Sequence, residues 1–90
     1  DSALTYGMPR INVSGTLLEG IALWAELKPT LTAEAIIERA LSYCRLAARQ
    51  GLLAIRSHVD TSDDRLLGVE ALLEVRRKAA PFIDLQLVAF

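Results

Sequence analysis

The sequence holds one cysteine, one histidine and one methionine among its 90 residues, and these scarcities exclude a good deal. A lone cysteine forbids an internal disulfide and fits a reducing compartment, so a cytoplasmic location is expected. Cys44 and His58, far apart and unaccompanied, cannot close a zinc site by themselves. No apolar run reaches the roughly 18 residues that a membrane span needs. No basic stretch followed by an apolar core marks a secretory leader. Ten basic and 11 acidic residues give a net charge of −1, with no block of one sign. Phosphate-backbone binding therefore has no surface to use, and no nucleic-acid partner is expected. Glycine-rich nucleotide loops, the H-x-E…P-C-x-x-C zinc pattern and solenoid repeats are all missing.

What the chain does have is apolar content, 52% of its residues. A free domain of this size buries only about 60% of the surface its unfolded chain exposes, so much of that apolar area would stay wet. The sequence also begins at Asp1 without a methionine and stops at Phe90 inside a strand-like run. These features lead us to expect a segment of a larger domain, covering residues 1–90 as part of a barrel.

Residues 1–31 read as a loop followed by a short, irregular helix. Gly7, Pro9 and Asn12 break any period, Ser14 is the expected cap, and Leu17, Ile21 and Trp24 recur at helical spacing. Residues 32–51 form the clearest helix. Thr32 caps it, Glu34 sits where the macrodipole favours an anion, and Gly51 stops it. Ile37, Ala40, Leu41, Cys44, Ala47 and Ala48 make its apolar stripe, with Cys44 acting as a small hydrophobe. A strand is expected over 52–60, a helix over 62–80 and a second strand over 82–90. Along the second helix Gly68, Leu72, Val75 and Ala79 share a face, while Glu74 and Lys78 are placed to pair. Helix–strand–helix–strand order with short links means an α/β fold with parallel strands.

Alternation along the strands narrows the architecture. Leu53, Ile55, Ser57 and Val59 point one way, with Ala54, Arg56 and His58 on the other side and Asp60 just beyond. Each strand thus has one apolar face and one mixed face. An open doubly wound sheet usually wants two apolar faces, whereas a parallel barrel tolerates a few paired polar groups inside. Arg56 and Asp84 or Gln86 are expected to pair there. His58 and Asp60 lie at a strand's C-terminal end, where parallel barrels put their active sites. They can equally be a strand-end histidine and the start of the next turn. Trp24 is a core residue or a wall for a planar ring.

Three stretches, SGTLLEGIALWAELKPTLTAE (14–34), AIRSHVD (54–60) and ALLEVRRKAAPFIDLQLVAF (71–90), resemble the cytosine deaminase branch of the metal-dependent amidohydrolases. The resemblance runs along essentially the whole chain. It implies a segment of a (β/α)₈ TIM barrel: loop, helix, strand 2, helix, strand 3. Asp1 would match the aspartate closing the H-x-H-L-D metal motif, so the metal-binding histidines would precede it. The implied cofactor is one divalent ion, iron or zinc, with every ligand outside these residues. The ion would activate a hydroxide to attack an amidine carbon. The segment would contribute a pocket wall from Gly15, Thr16, Leu17 and Trp24. Beneath it, His58 and Asp60 would orient the metal surroundings, and neither would be a catalytic residue or a ligand.

The function implied is deamination of a small planar heterocycle: cytosine, isocytosine, or a creatinine-like or triazine-like ring. Two alternatives remain. One is hydrolysis of a ring amide or removal of an alkylamine by the same superfamily chemistry. The other is a non-catalytic α/β module that binds a partner through exposed strands. The partners expected are the ring substrate and the rest of the same barrel, with a homo-oligomer left open and no membrane.

Overall fold

Helix α2 (Ala33–Arg49) forms where the sequence places its strongest signals. The Thr32 hydroxyl oxygen accepts from the Ala35 N–H at 3.2 Å, and Glu34 lies in the first turn. At the far end Gly51 adopts φ +90°, a conformation that costs glycine little. The Gly51 and Leu52 amides donate to the Ala48 and Ala47 carbonyls at 3.0 and 3.1 Å, closing the helix in a Schellman turn. The computed structural model describes all residues, 1–90.

Upstream lies helix α1 (Leu17–Leu27), followed by a 3-10 turn at Lys28–Thr30. Its cap is Thr16 rather than the expected Ser14: Thr16 Oγ1 accepts from the Glu19 N–H at 3.3 Å. Ser14 is otherwise engaged. Its N–H donates to Glu19 Oε2 at 2.7 Å and its hydroxyl bonds the same carboxylate. Gly15, at φ +68°, turns the chain between the two.

Downstream come strand β1 (Ala54–Val59), helix α3 (Leu67–Ala79) and strand β2 (Asp84–Ala89). Helix α3 starts later than the expected 62–80 span because side chains capture the preceding backbone. Asp60 Oδ1 accepts from the Ser62 N–H at 2.8 Å, and Asp63 Oδ1 accepts from the Arg65 N–H at 3.0 Å. Such bonds offer the chain a turn in place of a helix. Leu66, at φ +49°, then enters α3 without a side-chain cap. Within α3, Glu74 pairs with Lys78 at 3.2 Å as its spacing predicts, and also with Arg77.

The strands pair in parallel, with Ala54 opposite Asp84, Arg56 opposite Gln86 and His58 opposite Val88. The ladder runs one step past β2, since the Phe90 N–H donates to the Val59 carbonyl at 2.9 Å. Val59 and Leu85 are buried on the helix side; Arg56, His58, Asp84 and Gln86 are exposed on the other. The alternation was therefore read correctly. Of the two partners expected for Arg56, Gln86 stands opposite it in the ladder, whereas no ion pair forms with Asp84, since the Arg56 and Asp84 side chains are both solvated in this chain.

Twelve buried residues from α2, β1, α3, β2 and the turn before β2 make the core, and no polar residue is among them. In α2 the inward position is Ile36 rather than Ile37, which packs at the core's edge. Gly68, Leu72, Val75 and Ala79 face inward as expected, joined by Ala71. Enclosing a side chain such as Ile36 or Val75 contributes about 1.5–3 kcal/mol.

Candidate functional site

The C-terminal ends of β1 and β2, the loop 1–16 and α1 enclose an open cavity of about 730 Å³. Its apolar lining is Leu17, Ile21 and Trp24 from α1 with Met8 and Ile11 from the loop. His58, Asp60 and Phe90 lie at the strand ends. An apolar wall with a few convergent polar groups is the usual make-up of a small-molecule site.

Asp60 is the most connected side chain here. Its Oδ2 accepts from Trp24 Nε1 at 2.8 Å and from Lys28 Nζ at 3.0 Å. Its Oδ1 accepts from the Ser62 hydroxyl at 2.6 Å and the Ser62 amide at 2.8 Å. Lys28 Nζ also donates to Ser62 Oγ at 2.9 Å, closing a ring of charge-assisted bonds. The Ser62 hydroxyl first, then Trp24, the Ser62 amide and Lys28, outweigh partial burial and hold the Asp60 carboxyl well below the usual carboxylate range. The Asp60 amide is used as well, donating to Asp1 Oδ2 at 2.9 Å.

His58 is exposed, and its ring meets Phe90 edge-on with centroids 6.0 Å apart and planes at 75°. Leu17 and Trp24 line the cavity. Gly15 and Thr16 stand outside its lining and build the entry to α1 instead. Four contributors were missed in the sequence: Lys28, Ser62, Arg10 and Arg39. Arg10 bridges Glu19 at 3.3 Å and Glu26 at 2.9 Å, while Arg39 donates to the Asp1 and Ala3 carbonyls. A lysine ahead of Pro29 with no carboxylate three or four positions away, and a serine two residues past Asp60, were the available signals.

The chain's own donors do not fit a metal ion. No three His, Cys, Asp or Glu side chains converge to hold one. Asp60 is committed to Trp24, Lys28 and Ser62, and Cys44 is buried in the core.

The fold of the chain has a counterpart among solved structures. The crystal structure of 5-methylcytosine deaminase from Klebsiella pneumoniae, liganded with phosphonocytosine, superposes with a TM-score of 0.94 over 98% of the chain, at 44% identity. This chain is cytosine deaminase-like, within the amidohydrolase superfamily. The cytosine deaminase-like chain spans 22% of the length of that structure. No protein-family model matches the chain, and no curated protein matches it. The match supports an α/β unit of three helices and two parallel strands that corresponds to part of that enzyme's fold. No helix is long and apolar enough to cross a membrane.

Proposed function

We propose that the intact protein is a cytoplasmic deaminase of a small cyclic amidine, and that this chain supplies one side of its ring pocket. The carrying observation is the cavity at the strand ends, in a chain 44% identical to a deaminase solved with a cytosine-like ligand. Leu17 and Trp24 form the apolar wall against which a planar ring packs. Gly15 and Thr16 set the wall's starting point by turning the chain and capping α1. His58 and Asp60 are the floor. In this reading the chain is strands 2 and 3 of a (β/α)₈ barrel, whose active site lies at the C-terminal strand ends. Cytosine deaminases of this superfamily are metal-dependent, and the divalent ion, iron or zinc, would be held by residues outside these ninety.

Ammonia release from cytosine, 5-methylcytosine, isocytosine, creatinine and aminotriazines by the full-length protein tests the reading. Turnover of at least one ring amidine is the expected result. Inertness toward all of them, with release of an alkylamine or opening of a ring amide, would move the protein to another reaction of the superfamily. His58→Ala is expected to lower kcat/KM by about 10–100-fold without loss of bound metal, as changes behind a ligand set do. Unchanged kinetics would return His58 to a strand-end residue satisfied by Phe90.

A further inference from the structure

Helix α1 carries the apolar wall, yet it is joined to the rest of the chain in an unusual way. Its two buried residues, Leu23 and Leu27, lie outside the core cluster. Among the helices and strands, extensive packing joins β1 with β2, α2 with α3, and α3 with β2, whereas α1 packs extensively on no element but the 3-10 turn that follows it. What reaches from α1 and that turn to the end of β1 is polar. Trp24 Nε1 and Lys28 Nζ both donate to Asp60 Oδ2, one carboxylate oxygen. On its other oxygen Asp60 is fixed by Ser62, and its amide by Asp1. Arg65 adds a donor to the Lys28 carbonyl at 3.1 Å.

We infer that Asp60 is a positioning residue that latches α1 over the cavity, acting on the substrate through the indole of Trp24. The kinetic part of this inference rests on the proposed deaminase activity. The mechanical part does not. The indole has an apolar face for the cavity and one N–H, and that N–H fixes the ring's orientation when it points at a charged acceptor. Lys28, one helical turn further on, pins the end of α1 to the same oxygen, so tilting the helix breaks both bonds together. Asp60 thereby sets how far the wall stands from the floor. It does this without touching the reacting atoms.

The test uses the full-length protein with four variants, Asp60→Ala, Asp60→Asn, Lys28→Met and Trp24→Phe. Trp24→Phe keeps an aromatic wall and deletes the N–H. In Asp60→Ala, hydrogen exchange should quicken across Leu17–Leu27 and stay unchanged across Ala33–Arg49. KM should rise by about 10–100-fold, the range of a lost charge-assisted hydrogen bond, with kcat far less affected and metal content unchanged. Adding Trp24→Phe to Asp60→Ala should cost less than the sum of the two, because both break one bond. Asp60→Asn, which keeps an acceptor for the indole, should restore part of the KM. If Asp60→Ala does not fold, Lys28→Met and Trp24→Phe carry the same readings. Unchanged α1 exchange in the variants would overturn the latch. So would a fall in kcat at constant KM, or loss of metal. A wild-type protein that deaminates no ring would defeat the proposed function, and the exchange result would then still decide the latch without the kinetics.

Discussion

The two halves of the chain are held together by different forces. Helices α2 and α3 with the two strands share an apolar core of twelve buried residues and no buried polar group. The loop and α1 are held largely by directional bonds: Arg10 to Glu19 and Glu26, Glu19 to Ser14 and Val13, and Asp60 to Trp24 and Lys28. Burial is insensitive to angle and tolerates small displacements. A hydrogen bond weakens steeply when its geometry drifts. The first half is therefore a frame, and the second is a part whose position is set by a few contacts. Leu17 and Leu18 are 78% and 79% exposed on α1, against 48% for Leu46 on α2 and 50% for Leu73 on α3.

The sharpest way to break this contrast is a cavity in the frame. Ile36→Ala should destabilise the full-length protein by about 2–5 kcal/mol in chemical denaturation, as large-to-small core changes do. A loss no larger than that of a surface substitution would mean the twelve-residue cluster is not the stabilising unit. A smaller effect is expected where the halves touch. A Cβ on Gly68 would stand 3.2 Å from Asp1 Oδ2 and 3.7 Å from Val59 Cγ1. Gly68→Leu should then cost about 1–3 kcal/mol by overpacking and should displace the Asp1 carboxylate from the Asp60 amide. Gly68→Ala gives a cleaner reading. Its gain in helix propensity opposes the tight contact with Asp1, so a rise in stability would show that Asp1 moves aside freely.

Acid sharpens the comparison further. The Asp60 carboxyl is held below its ordinary value in the folded state, so the unfolded chain binds this proton first as pH falls. Its contribution to stability is full above the unfolded value near ~3.9 and is lost as pH drops through the folded one. Wild type minus Asp60→Asn should therefore show a constant stability difference at neutral pH that shrinks below about pH 4. A difference that grows in acid would reverse the sign and remove the latch's charge from the account. The smallest effect belongs to Glu74. Arg77 and then Lys78 pull its carboxyl down to about 2, but the cluster is on the solvent side of α3. Glu74→Gln should shift the denaturation midpoint less than any change above, and added salt should erase the shift.

The frame was legible in the sequence, and the directional half only partly so. Thr32, Gly51 and the Gly68–Ala79 stripe carried local signals, caps and periodicity, that the fold obeys. The failures came where side chains compete for backbone. Ser14 looked like a cap, but Glu19 takes its amide, and the cap passes to Thr16. The helix was expected from residue 62, but Asp60 and Asp63 hold the residues ahead of Leu67 in turns. The same limit applied at the site. His58 and Asp60 were located by strand parity, whereas the partnership of Asp60 with Trp24 and Lys28 joins residues more than thirty positions apart. No local pattern encodes that bond.

Cys44 gives the frame a chemical clock. It is the chain's sole thiol, it lies in the buried cluster, and burial pushes its pKa up. The thiolate is the reactive form, so a labelling reagent waits for the cluster to part. Peptide-resolved alkylation at Cys44 would time the opening of the whole core, while amide exchange on α1 times the release of one helix. Widely different rates would show two independent openings in one polypeptide, and equal rates would show a single event.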